Sequence, residues 1–228
     1  MEKEYEAIVK NNSHLNLLIN EHQYSVLCTI KPSEAFTTDF IDWISPKYFE
    51  ALKAIYANSI EENQGTICSV LRASFLANAE THEKMTTFLA PHIDKATENA
   101  VQFYRVINNN RHDAITAIER IGDAYDYLTR AIFSHVNSAE MEAKKREYAE
   151  TMLKIADIMR KFRPRSGDIE FAIYTTVTEV LKELNVEADQ QEVIHEHTQT
   201  VKRKNNWYIV GTIAILILVL LRFLARLS

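Results

Sequence analysis

Glycine and proline are scarce in this chain, with four of each among 228 residues. A sheet protein of this length needs more turn residues than that. The shortage predicts long helices joined by short connections. Cysteine is almost missing too. Cys28 and Cys68 are the two present, and neither has a second cysteine at metal-ligand spacing, so both are expected to be reduced, buried thiols. A basic excess is also lacking. The net charge of −5 excludes nucleic-acid binding by bulk electrostatics and leaves room for a local basic site. There is no Gly-rich phosphate loop, no G-x-S-x-G, no H-E-x-x-H and no Cys-His zinc pattern. Four glycines are too few for a nucleotide fold built on backbone approach to phosphate, and no cofactor or metal is expected.

What the chain does have is ordinary globular composition, 46% hydrophobic and 25% charged, which excludes wholesale disorder. It also has one long apolar run near the C-terminus. Trp207 through Leu221 carries no charge. Those residues span ~22 Å as a helix, and continuation to Leu227 gives ~31 Å, the thickness of a hydrocarbon core, with Arg222 and Arg226 snorkelling to the headgroups. Trp207 and Tyr208 sit where interfacial aromatics belong, behind the basic triplet Lys202, Arg203 and Lys204. The apolar residues go all round, so the helix is expected to span the bilayer and not to lie on it. The first ten residues, MEKEYEAIVK, lack the apolar core of a signal peptide. The expectation is a tail-anchored, single-pass membrane protein with its N-terminal part in the cytosol, at the inner membrane in a bacterium.

Three segments follow: a cytosolic helical bundle over 1–186, a polar juxtamembrane segment over 187–205, and a transmembrane anchor over 206–228. The fold class expected is all-α, with six or seven helices before the anchor. Residues 4–30 read as one helix or a broken pair, with a stripe of Leu15, Leu18, Ile19, Tyr24 and Leu27, closed by Pro32. Ser45-Pro46 reads as an N-cap followed by proline at the first helical position. The stripe Tyr48, Phe49, Leu52, Ile55, Tyr56 and Ile60 then runs toward a stop at Gly65. A third helix is expected from Thr66 to Leu89, a fourth from Pro91 to Val106, and a polar turn at Asn108-Asn109-Asn110. A helix from about Asp113 carries Ile118, Ile121, Tyr125, Leu128 and Ile132. Asn137-Ser138 breaks it and caps the next. Ala139 to Phe162 is the most regular, with Met141, Tyr148, Met152, Ile155, Met159 and Phe162 on a heptad seam. The loop Arg163 to Gly167 precedes a last bundle helix from Asp168 to Leu184.

Titratable residues are scattered. Glu192, His195, Glu196 and His197 cluster in the juxtamembrane stretch with nothing apolar around them, which fits a solvated face better than a metal site. His82, His92, His112 and His135 stand apart from one another. Two histidines follow an arginine at short range, in RVINNNRH (Arg105, His112) and in RAIFSH (Arg130, His135).

The second of these, within the run Tyr127 to His135, resembles the R-x4-6-H signature of the HEPN superfamily. It is similar in style to the L-R-N-x-F-S-H motif of RNA-targeting CRISPR nucleases. The resemblance implies a small helical bundle acting as a dimer and a metal-independent ribonuclease site. Histidine would move the 2′-hydroxyl proton and arginine would stabilise the charged phosphate. Arg130 and His135 are then the candidate catalytic residues. The polar residue that family members carry after the arginine is here Ala131, which bears on catalysis more than on fold. With the anchor, the layout also resembles the membrane-associated accessory protein of type VI-B CRISPR loci. That implies an oligomeric accessory or effector in prokaryotic antiviral defence, acting through RNA or membrane integrity beside an RNA-guided nuclease complex.

Two other readings stay open. Asp126 and Arg130 stand at i, i+4, where a surface ion pair forms readily, with His135 a structural residue at the helix end. The chain would then be a non-enzymatic tail-anchored adaptor or a pore-forming homo-oligomer, which the heptad seam and the arginines of the anchor also suit. A vesicle-fusion protein fits poorly, because residues 187–204 lack the apolar seam of a coiled coil.

Overall fold

A computed structural model describes residues 1–59, 64–110, 121–122, 124–161 and 168–184. Among these the chain is all-helical, without a strand. Among the described residues eight α-helices have defined ends, against six or seven expected: α1 (Glu2–Asn11), α2 (Ser13–Glu21), α3 (Thr38–Ser59), α4 (Gln64–Leu71), α5 (Ala79–Asn109), α6 (Tyr127–His135), α7 (Ala139–Lys161) and α8 (Ile169–Glu183), with a 3-10 turn at Ser74–Leu76. The polar and apolar segments over 187–228, the loop at 163–167, Ile60, Ile118 and Phe162 lie outside the described residues. Among those described, no helix is long and apolar enough to cross a membrane.

The N-terminal region is a broken pair. Asn12 caps α2 by accepting from Leu15 N at 3.0 Å, and α2 ends at His22 in the left-handed region. The stripe of Leu15, Leu18 and Ile19 is buried, but it stops there. Leu27 lies in a turn closed by Cys28 N to Ser25 O and is 86% exposed. Pro32 therefore ends nothing; the helix is over ten residues earlier.

Both prolines expected to open helices sit inside them. α3 starts at Thr38, with Thr37 Oγ1 accepting from Phe40 N, and runs through Pro46. Ser45 is not a cap. Its buried hydroxyl donates to Leu76 O at 2.9 Å and accepts from Asn78 N at 2.8 Å. α5 likewise runs through Pro91. The lost backbone bond at each proline is outweighed by the burial of the continuing stripes: Phe40, Ile44, Tyr48 and Leu52 on α3, and Met85, Leu89, Ile93, Ala96, Ala100 and Phe103 on α5. The expected helix from Thr66 to Leu89 is in fact α4, the 3-10 turn and the start of α5. The break falls where Asn78 caps α5 by accepting from Thr81 N. Gly65 is not a stop either, since it lies in the first turn of α4.

α5 is the spine. It packs along α7 and against α3 and α6, while α8 packs on α7 and α4 pairs with α6. The heptad seam of α7 is internal, with Met141, Tyr148, Met152, Ile155 and Met159 all buried. Ser138 caps α7 through Met141 N, and its hydroxyl also meets Thr86 of α5 at 2.7 Å. Buried tyrosines tie helices to backbone oxygens: Tyr48 OH donates to Val70 O and Tyr148 OH to Ala124 O, both at 3.0 Å. Both cysteines are free thiols.

The Ser45 hydroxyl is the buried polar link between α3 and the junction before α5. Ser45→Ala is expected to cost about 1–3 kcal/mol by leaving a carbonyl and an N–H unpaired. The check is a urea melt in which the midpoint falls and the slope is unchanged.

Candidate functional site

The run that carries Arg130 and His135 is α6, and its start differs from expectation. The helix expected from Asp113 is interrupted: residues 121–122 and 124 are helical, Tyr125 sits in a turn, and α6 begins after Asp126, while residues 113–120 lie outside the described ones. Asp126 is the N-cap: its Oδ1 accepts from Thr129 N at 2.7 Å. The same carboxylate takes Gln64 Nε2 of α4 on Oδ2 at 3.1 Å. His92 of α5 brings Nε2 to 3.3 Å from Oδ1 and 3.1 Å from Thr129 Oγ1. Burial pushes the Asp126 carboxyl up, but His92 and the two Thr129 bonds outweigh it and hold it at about 2. An ionised carboxylate only accepts, so the proton in the His92–Asp126 contact sits on His92 Nε2.

Cys68 lies beside this cluster, and its thiol reaches Tyr127 O at 3.4 Å. A cysteine, a histidine and an aspartate in one place suggest a nucleophile, but the electrostatics oppose it. Burial, and then the charge of Asp126, push the Cys68 thiol up. A reactive cysteine needs the opposite shift. The cluster therefore acts as a polar joint between α4, α5 and α6. No three His, Cys, Asp or Glu side chains gather to hold a metal among the described residues; the Glu192, His195, Glu196 and His197 group lies outside them.

Arg130 does not pair with Asp126, whose oxygens are taken. It reaches across to α8, where Nε donates to Glu183 Oε2 at 2.8 Å. Tyr125 OH donates to the same oxygen at 3.0 Å. The guanidinium carbon stands 5.3 Å from the Tyr125 ring centroid and 6.0 Å from that of Tyr127. Burial and the Glu183 carboxylate push the Tyr125 phenol up to about 12. Arg130 and Glu183 remain 46% and 44% exposed.

His135 is the last residue of α6. It is half-buried, and among the described residues its ring makes no hydrogen bond. Burial, and then the charge of Arg72 just beyond α4, lower its pKa, so the ring is neutral at pH 7 and able to accept a proton. Five residues of helix turn His135 about 140° from Arg130, and the two have different surroundings: Glu183 and two tyrosines for Arg130, the field of Arg72 for His135. Between them Ala131, Ile132 and Phe133 are buried.

Of the other histidines, His82 Nδ1 accepts from Asn137 N at 3.2 Å. His112 lies outside the described residues, so the Arg105 pair is left with Arg105 on α5. Glu183 and Arg72 were missed by sequence reasoning. Glu183 reaches α6 from α8 and Arg72 acts on it from just beyond α4, and no local spacing signals them. No family model, curated protein or solved structure matches the chain.

Asp126→Asn keeps a capping oxygen and removes the charge from the bond to His92. It is expected to cost about 1 kcal/mol at pH 7. The folded pKa of Asp126 lies below its unfolded value of about 3.9, so this contribution is present above about pH 4 and is lost as pH falls through about 2. Denaturant melts of the two proteins should differ at pH 7 and converge toward pH 2.

Proposed function

We propose that the chain is a tail-anchored helical adaptor, built on a HEPN-like bundle, that works at a membrane by assembling with itself or a partner and not by cleaving RNA. The observation that carries this reading is the separate engagement of the two signature residues. Arg130 donates to Glu183 on α8, while the charge acting on His135 is that of Arg72. A ribonuclease site needs both on one phosphate: a donor on its oxygens and a base within about 3 Å of the 2′-hydroxyl. The different partners of the two residues within one chain argue against that pairing, and Ala131 replaces the polar residue that usually accompanies the arginine. The membrane part of the reading rests on the apolar run from Trp207, with its aromatic and basic flank.

A second reading is favoured by a different observation. Arg130 is about half exposed, and His135 is neutral with no bond to its ring among the described residues. A second copy closing over α6 would bring one chain's arginine to the other's histidine. The protein would then be a HEPN-type ribonuclease in antiviral defence, beside an RNA-guided nuclease complex.

Membrane flotation and end-labelled single-stranded RNA separate the two. The full-length protein should float with vesicles and resist alkaline extraction. It should leave the RNA intact, as should Glu183→Ala, which frees Arg130. Light scattering of the detergent-extracted chain should report a defined oligomer. Cleavage by the wild-type chain that disappears in Arg130→Ala/His135→Ala would overturn the adaptor reading in favour of the second. Extraction of the protein by alkali would remove the anchor.

A further inference from the structure

The first three helices line an open cleft that takes no part in the α6 region. Its volume is about 310 Å³, at the small end of the range for small-molecule sites. Val9 and Ile19, both buried, form its apolar wall together with the indole of Trp43. Two cations face it, Lys10 at the end of α1 and Lys47 on α3.

Lys47 lies over an aromatic face. Its Nζ stands 3.5 Å from the centroid of the Trp43 ring, and no carboxylate among the described residues is within ion-pair distance of it. The ring attracts the ammonium through its quadrupole and leaves the charge unneutralised, so donors remain for an anion. The indole is itself fixed, packed against Tyr5 at 5.5 Å and Phe40 at 5.9 Å. Lys10 likewise has no ion pair among the described residues, although Glu6 lines the same cleft one turn away. Lys53, Lys84 and Lys144 pair with acids, whereas Lys10 and Lys47, like Lys3, Lys31 and Lys95, have no ion pair among the described residues. Here two ammonium groups and one carboxylate are kept apart around a space with an apolar wall.

We propose that this cleft binds a phosphate ester. Lys10 and Lys47 take the phosphate oxygens as point charges. Glu6 accepts from a hydroxyl or ammonium group on the alcohol part. Val9, Ile19 and Trp43 cover its carbons. A soluble ester and the headgroup of a phospholipid both offer this chemistry.

The chain carries two tryptophans, Trp43 and Trp207, so Trp207→Phe leaves Trp43, lining the cleft, as the only tryptophan, read by excitation selective for indole over tyrosine. The full-length Trp207→Phe protein is placed in nanodiscs of phosphatidylcholine and titrated with glycerol 3-phosphate. In a second arm the nanodiscs contain increasing phosphatidylglycerol and no soluble ester. A saturable change in Trp43 emission is expected in one arm. Glycerol 3-phosphate identifies a soluble ligand; phosphatidylglycerol alone identifies a lipid headgroup. Lys10→Ala, at an exposed position, should weaken the midpoint about tenfold or more by removing a charge-assisted contact, with an unchanged thermal melt. Glu6→Gln should lessen the preference for the ester over inorganic phosphate. The proposal fails if Trp43 responds in neither arm, or if the midpoint is the same in Lys10→Ala. A protein that does not enter nanodiscs is titrated with the ester in buffer, so loss of the anchor and loss of the cleft are told apart.

Discussion

The carboxylate of Asp126 decides where α6 starts and what it can face. One oxygen caps the helix through Thr129 and meets His92 of α5; the other holds Gln64 of α4. Three elements thus share a single charged group at the point where the chain enters α6. A charge so placed needs hydrogen-bond donors, and two of its three come from helices far apart in sequence. This contact sets the rotation of α6 and hence the direction of every residue after it. Leu128, Ile132 and Phe133 turn into the core, Arg130 turns to α8, and His135 falls at the helix end. Moving the cap by one residue would rotate the rest by about 100°.

The elements legible in the sequence were those whose pattern and punctuation agree. In α7, the cap Ser138 and the seam from Met141 to Met159 sit where they were expected, and so does α8 to within a residue at each end. Proline misled twice, at Pro46 and Pro91. Its fixed φ suits a first helical turn, but it is tolerated further in when the flanking stripes bury enough apolar surface. Ser45 misled for a related reason. A hydroxyl before a proline reads as a cap, whereas here its partners are Leu76 O and Asn78 N, groups that no local spacing discloses. Leu27 continued a helical stripe on paper, yet the left-handed turn at His22 had already ended the helix.

The same division holds for the candidate site. Arg130 and His135 were visible because they lie close in sequence and resemble a known signature. Their surroundings were not visible, because Glu183, Arg72 and His92 arrive from α8, the end of α4 and α5. Asp126 stood at the right spacing to pair with Arg130. It was taken instead by the helix N-terminus and His92, both of which compete for a carboxylate at close quarters. An i, i+4 ion pair worth a few tenths of a kcal/mol does not displace a capping bond worth about 1 kcal/mol.

Energetics also bear on whether the Arg130–Glu183 contact itself keeps RNA out. Both partners are nearly half exposed, and pairs of that kind contribute about 0–1 kcal/mol. The rings of Tyr125 and Tyr127 lie 5.3 and 6.0 Å from the guanidinium carbon, but a phosphate arriving with its own charge competes with the single carboxylate. The ion pair is therefore a weak latch. Geometry is the stronger constraint, because removing Glu183 frees the guanidinium without turning it toward His135. Breaking the pair costs little, whereas rotating α6 would require the Asp126 joint and the buried side chains between Arg130 and His135 to give way together. A pairing of these two residues is thus far easier to reach by adding a second chain than by rearranging this one.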